Sequence, residues 1–358
     1  MLLKMHSYYY FTKFKIKIVI MKLTLPENLS PSRASQYKTC PKQYMYQHIV
    51  KISEPTNEVQ AKGTTIHQAL EDLFDLPPKE RTIENLHDLF RNAWTAVRSN
   101  DEHHNLFSSV EKEREWGLDA LKRLNYYMQL EDPTSFEPLE RERWVRGSIE
   151  DLNLRGILDR MDENPNGELV IVDYKSGKAP LQKWKEPRFF AMKIYALLIY
   201  KELDVMPKEL KLIYLENKTI HTLEVDEEML ENAKNEVLEI WSNIKESYNK
   251  NEFPTKKSIL CNYCYFQPIC PEYNHSAPDV EELKKLNFQI NEVEESIKVY
   301  EMFTDINDLP KDNEMRSFDK ENASKKYDQL MTQKNTIEKR IFKELENKNH
   351  GYKFSKTK

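Results

Sequence analysis

Cysteine is scarce in this chain, long apolar runs are missing, and neither sign of charge dominates. No stretch of the 358 residues stays apolar long enough to cross a bilayer, and charged side chains make up 32% of the total, so a soluble protein with no membrane partner is expected. A formal net charge of -5 excludes a uniformly basic coat for nucleic acid. It leaves room for a basic cleft, because a phosphate backbone responds to the local field. The opening residues also lack the marks of a secretory leader. Tyr8-Tyr9-Tyr10 and Phe14-Lys15-Ile16-Lys17-Ile18 supply neither an uninterrupted apolar segment nor a small-residue cleavage site. A reducing, cytoplasmic setting is therefore expected, in which cysteines ligate metal rather than pair. Residues 1–20 read as an upstream extension, because Met21-Lys22-Leu23-Thr24-Leu25 is the more ordinary start; an extra edge strand is the alternative. No internal repeat or low-complexity tract is evident.

The few cysteines are placed non-randomly. Three of the four form Cys261-x2-Cys264-x5-Cys270, and the fourth, Cys40, lies far upstream. Together they supply four thiolates for one centre that would tie the two ends of an intervening domain together. Tetrahedral zinc and an iron–sulfur cluster both accept such a set. The single C-x-x-C pair and the unequal spacings favour the cluster over a zinc knuckle.

Along the chain, Ser30 caps a helix whose first position is Pro31, and Arg33 to Tyr46 carry it, with a bend at Cys40-Pro41. Gly63-Thr64 opens a second helix from about Thr65 to Phe74, and residues 83–129 read as mostly helical. From 136 to 175 the texture alternates. Leu152–Arg160 and Glu168–Tyr174 form a β-hairpin around the turn Asn164-Pro165-Asn166-Gly167. A helix over 188–203, strands Leu210–Leu215 and Thr219–Val225, and a long helix Glu227–Tyr248 follow. Beyond Pro278, Leu283, Leu286, Ile290, Val293, Ile297 and Tyr300 make a heptad seam, and Tyr327, Leu330, Ile337, Ile341 and Leu345 a second helix after a polar Asn307–Asp319 link. Residues 278–358 are thus expected to be a helical hairpin and tail, and 21–277 one domain that contains all four cysteines.

The hairpin strands end in Asp159-Arg160 and Asp173-Tyr174-Lys175. Alternate strand residues share a face, so Asp173 and Lys175 point to one side, and Asp159 arrives on the neighbouring strand. Two carboxylates can hold a hard divalent cation, Mg2+ or Mn2+, and a lysine beside them can neutralise a phosphate. That is the equipment of metal-assisted phosphodiester hydrolysis. An isolated acid-x-lysine triplet is weak evidence, because surface strands often alternate charges. His67 reads alone as a capping or core histidine.

Taken together, these pieces resemble the PD-(D/E)XK nuclease superfamily, in particular RecB-like exonucleases and CRISPR-associated adaptation nucleases that carry an iron–sulfur cluster. The resemblance rests on Leu29-Ser30-Pro31-Ser32-Arg33 through Cys40-Pro41, on Gly63 to Glu71, on Gly156-Ile157-Leu158-Asp159-Arg160, on Ile171-Val172-Asp173-Tyr174-Lys175-Ser176-Gly177, and on the cysteine triplet ending in Pro271. It implies a restriction-endonuclease-like, three-layer α/β core with a mixed central sheet and an iron–sulfur clasp. It also implies that His67, Asp159, Asp173 and the Tyr174 carbonyl hold the catalytic metal, that Lys175 is catalytic, and that Cys40, Cys261, Cys264 and Cys270 bind a 4Fe-4S cluster, with zinc as the alternative. One departure stands out. Tyr195 is present, but Ala191 occupies the position of the glutamine that the family carries four residues earlier.

The leading expectation is a DNA nuclease acting on single strands or duplex ends, in repair or recombination. Arg33, Arg160, Lys178 and Lys193 are its expected phosphate contacts, and Tyr195 belongs to the same surface. A helicase or other repair partner would dock on the C-terminal hairpin. The alternatives are a non-catalytic DNA-binding subunit working with a helicase, and a zinc-clasped interaction protein.

Overall fold

The computed structural model describes residues 25–274, 279–304 and 313–349. Helix α1, Pro31–Thr39, starts where expected: Ser30 Oγ accepts the Arg33 N–H at 3.2 Å. Pro41 has no N–H to continue the ladder, so the chain restarts as α2, Pro41–Tyr44, and widens through Met45–Ile49. Helix α3 spans Glu58–Leu73, beginning upstream of the expected glycine start. Asn57 and Gln60 form a capping box, with Asn57 Oδ1 accepting from Val59 and Gln60 N–H, so Gly63 falls inside the helix. The helical stretch after it divides into α4, Ile83–Val97, and α5, Val110–Leu130, capped by Thr82 and Ser109.

Strand β1 runs Glu140–Ile149, β2 Leu152–Glu163 and β3 Leu169–Lys175. Gly167, at φ 79°, closes the β2–β3 turn in a conformation that side-chain-bearing residues rarely adopt. Helix α6, Phe190–Leu203, leads to β4, Glu209–Tyr214, and β5, Thr219–Glu224, and α7 follows over Glu227–Asn249. The sheet has the order β1-β2-β3-β4-β5, with only the β3–β4 pair parallel. It is therefore mixed. Helices α8, Asp279–Thr304, and α9, Asn313–Asn349, complete the described chain.

Contacts divide the chain into two compact units. The first takes Glu27–Ser35 and Pro55–Asn243, and hence the whole sheet. Helices cover both sheet faces. On one, Val170, Val172, Tyr174 and Ile213 are buried against Ile66 and Leu70 of α3, Phe90 and Trp94 of α4, and Trp116, Leu124 and Tyr127 of α5. On the other, α6 packs on β1, β3 and β4 through its buried Ile194, Leu197 and Leu198.

The second unit takes Gln36–Glu54 and the chain from Ile244 onward. Its non-local ties include the Lys42 N–H to the Pro254 carbonyl at 3.1 Å and the Tyr46 hydroxyl to the Ile269 carbonyl at 2.9 Å. Helices α8 and α9 pack along each other, burying Leu283, Leu286, Ile290 and Val293 against Leu330, Ile337, Ile341 and Leu345. Ile297 is half-buried. The extension over 1–20, the side chain of Tyr300 and most of the polar link before Asn313 lie outside the described residues. No helix among the described residues is long and apolar enough to cross a membrane.

Candidate active site

The β2–β3 ladder ends at the Arg160–Val172 pair. Beyond it the strands part, and the side chain of Asp159 takes the place of a ladder partner: its Oδ2 accepts the Tyr174 N–H at 2.8 Å. The same oxygen lies 3.3 Å from Nδ1 of His67, which α3 supplies. Two residues apart on β3, Asp173 and Lys175 meet, with Lys175 Nζ 2.5 Å from Asp173 Oδ2. That ion pair lies off hydrogen-bond directions, so buried Asp173 Oδ2 keeps no directed partner. Helix α3, the interior of β2, which runs on past the expected end at Arg160 to Glu163, and the end of β3 thus bring His67, Asp159, Asp173 and Lys175 together within the first unit.

The charges in this cluster oppose and support one another. Burial drives Asp173 upward, reinforced by the charge of Asp159, against Lys175 and His67. Asp159 goes the other way: burial would raise it, but the His67 hydrogen bond and charge, with the Tyr174 N–H and Lys175, hold it below the usual carboxylate value. Burial works against the charge of His67, yet Asp159 and then Asp173 raise its pKa. Lys175 is likewise opposed by burial and held protonated by Asp173, then Asp159.

One further carboxylate belongs here that the sequence did not single out. Glu142 stands across from Asp159, where the β1–β2 register passes from Arg141–Arg160 to Arg143–Leu158. Its φ of 43° is left-handed, a conformation that costs a glutamate free energy and is frequent at functional sites. Burial, then the charges of Asp159 and Glu71, push its carboxyl up to about 7, with His67 pulling the other way.

Among the described residues, no three His, Cys, Asp or Glu side chains are drawn together closely enough to hold an ion as they stand. The donor chemistry nevertheless fits a hard divalent cation. Asp173 offers a buried oxygen without a directed partner, and Asp159, Asp173 and Glu142 repel one another across a space that a cation would relieve.

The remaining expected contacts divide. Arg160 is not a phosphate contact: it is 1% exposed, and its guanidinium grips Glu131 in two bonds of 2.8 and 3.0 Å, bonds Asp162 at 3.1 Å, and donates to the Tyr174 hydroxyl. It is an internal anchor for the strand that presents the Tyr174 N–H to Asp159. Lys193 is paired with Glu186. Lys178 is exposed in the turn after β3, and Arg33 is half-buried in α1. Tyr195 leans on β2 at Gly156, where an added Cβ would meet its ring at 2.7 Å and its hydroxyl at 2.9 Å. After burial, the charges of Asp173, Asp159 and Glu142 raise its pKa, which places its hydroxyl in their field. Ala191 lies one turn earlier on the same helix.

All four cysteines fall in the second unit, where Cys40, Cys261, Cys264 and Cys270 line one small cavity with Tyr46, Phe266 and Tyr273. They converge without closing a coordination sphere. Burial pushes Cys264 up to about 11 and raises Cys270, and in both the Cys40 charge adds to the rise. Cys261 is lowered, first by the Ser258 N–H, which reaches its Sγ at 3.3 Å. Soft donors grouped about one cavity fit a thiolate-bound centre, either an iron–sulfur cluster or zinc.

Residues 28–271 match the sequence profile of the PD-(D/E)XK nuclease superfamily. An ATP-dependent helicase/deoxyribonuclease component of Streptococcus agalactiae, from serotypes Ia and V, is 25% identical over 167 residues, which covers 44% of this chain and 15% of the relative. The chain therefore spans a small part of the length of those relatives. A crystal structure from Eubacterium rectale, described as that of a candidate exonuclease, covers 70% of this chain and 88% of its own at 11% identity, with a TM-score of 0.41.

Proposed function

Because this chain belongs to the PD-(D/E)XK nuclease superfamily, we propose that it hydrolyses phosphodiester bonds of DNA as an exonuclease on single strands or duplex ends, in repair or recombination. The observation that carries this reading is the meeting of His67, Asp159, Asp173 and Lys175 where β2 and β3 separate. In this reading His67, Asp159, Asp173 and the Tyr174 carbonyl hold Mg2+ or Mn2+. Such a cation, when bound, supplies a Lewis acid for the scissile phosphoryl group and acidifies water at neutral pH.

The chain's own groups do the rest. Lys175, kept protonated by Asp173, neutralises charge that develops on the phosphoryl oxygens. The Tyr174 N–H fixes the rotamer of Asp159, and the buried Arg160 fixes Tyr174. Tyr195 brings a hydroxyl to the same space. Ala191 leaves that space without the amide found in the family, and this is the one feature that favours a second reading, a DNA-binding subunit of low activity.

We assign Cys40, Cys261, Cys264 and Cys270 to a structural 4Fe-4S cluster, with zinc as the other centre their chemistry allows. The α8–α9 hairpin is the proposed dock for a helicase. A helicase activity appears in the name of the streptococcal relative, and that name supports a helicase partner. The test uses 5′- and 3′-end-labelled single-stranded and duplex DNA with Mg2+ or Mn2+. Progressive release of mononucleotides from one end supports the reading. Internal fragments without end dependence contradict the exonuclease assignment, and intact DNA leaves the low-activity subunit.

A further inference from the structure

We propose that one face of the β1–β2 hairpin seats single-stranded DNA on its way to the carboxylate site, with Trp144 stacking on a base and Arg146 and Arg155 holding phosphates. The proposal rests on the nuclease reading and adds the surface that reading lacks, since two of its expected cations, Arg160 and Lys193, are engaged by carboxylates of the chain itself.

Strand alternation sorts the hairpin into two faces. Val145, Ile149, Leu152, Leu154 and Leu158 are buried, and a Cβ at Gly147 would meet Leu198 of α6 at 2.8 Å, so this face is the inner one. The other face carries the cross-strand pairs Trp144–Ile157, Arg146–Arg155 and Ser148–Asn153. A 2.7 Å contact between Ser148 Oγ and Asn153 Oδ1 ties the last pair together. Trp144 is 53% exposed, Ile157 36%, and both arginines are exposed. On β2 the alternate positions Arg155, Ile157 and Asp159 run directly into the site. At ~3.3 Å per residue, Arg155 and Asp159 are about 13 Å apart, the reach of a few nucleotides.

Two features of this face call for a polyanion with flat rings. Like charges directly opposite each other across an antiparallel pair are destabilising, yet Arg146 faces Arg155. Elsewhere on β1, Arg141 pairs with Asp75 and Arg143 with Glu140 and Glu202. Among the described residues, neither Arg146 nor Arg155 has a carboxylate partner. The guanidinium of Arg146 instead lies over the Trp144 indole, 5.4 Å from its centroid, leaving the ring's other side for a base. Single strands are bound by this combination of cations that follow the backbone and aromatic rings that accept any base.

The test is fluorescence anisotropy of a labelled oligo(dT) of about 15 nucleotides, in EDTA so that binding is read without cleavage. Trp144→Ala is expected to weaken binding about 5- to 100-fold, while Trp144→Phe, which keeps a ring, stays within about threefold of wild type. The Arg146→Ala/Arg155→Ala double variant should reduce the slope of log affinity against log salt by about 1.4, two single-strand phosphate contacts at ~0.7 each. Absence of binding by the wild type, or wild-type affinity and salt slope in the Trp144→Ala and double-arginine variants, overturns the inference; the latter result would leave the face to a protein partner. The nuclease reading fails separately, if Lys175→Ala cleaves DNA as fast as wild type.

Discussion

Glu142 is held where its charge is resisted, and that gives the metal-free protein a definite pH signature. Its pKa, pushed up to about 7, lies above the ordinary glutamate value of about 4.3, so the folded state binds this proton more tightly than the unfolded chain. Stability from this group is full below about pH 4, falls as the pH rises towards 7, and levels off above it. Because the side chain is half-buried, solvent screening limits the effect to on the order of 1 kcal/mol. Glu142→Gln should therefore lose less stability than wild type between about pH 5 and about pH 8 in urea unfolding, and parallel profiles would contradict the assignment. Arg160 makes the opposite case. Arg160→Met leaves Glu131 and Asp162 without their main cation, and a loss of about 3–5 kcal/mol is expected by urea unfolding. A loss under about 1 kcal/mol would show the network to be dispensable. Neither residue's role was legible in the sequence. Glu142 sits in a charged run and did not stand out, Arg160 read as a phosphate contact, and only the fold supplies Glu131 to the arginine and Asp159 to the glutamate.

At the scale of elements, the β2–β3 hairpin was plain from its Asn-Pro-Asn-Gly turn and alternating strands, and with it the meeting of Asp159 and Asp173. Strand β1 did not stand out as a separate element, because Glu140, Arg141, Glu142 and Arg143 erase the apolar alternation that marks a strand. The start of α3 was misplaced for a physical reason: Gly63 reads as a break, whereas the capping box at Asn57 and Gln60 sets the boundary and the helix tolerates the glycine. Gly156 is the glycine whose bareness matters for the site. Gly156→Ala would drive a methyl into the Tyr195 ring, and a cost of about 1–3 kcal/mol with slower cleavage is expected from thermal melting and a cleavage assay. Unchanged melting and rate would mean that Tyr195 moves aside freely and has no positioning role.

At the scale of the molecule, the first compact unit carries the carboxylates and the second all four cysteines. Because cysteine occurs nowhere else in the chain, the grouping of Cys261, Cys264 and Cys270 with a lone Cys40 made their convergence on one cavity legible from spacing alone. Which centre the proposed set would hold was not legible, since thiolates serve iron and zinc alike. A centre that exists only in the folded state adds its binding free energy to folding. Cys40→Ser, purified without oxygen, is accordingly expected to lose visible colour and melt earlier, as is Cys270→Ser; full iron content in Cys40→Ser would remove Cys40 from the ligand set. Lys175, beside Asp173 and Asp159, is proposed to serve a metal-dependent cleavage of DNA. The most direct measurement compares wild type with Lys175→Ala on one end-labelled DNA at saturating Mn2+. A rate at least about 100-fold lower in a variant with unchanged melting is expected, and equal rates would remove Lys175 from the cleavage chemistry.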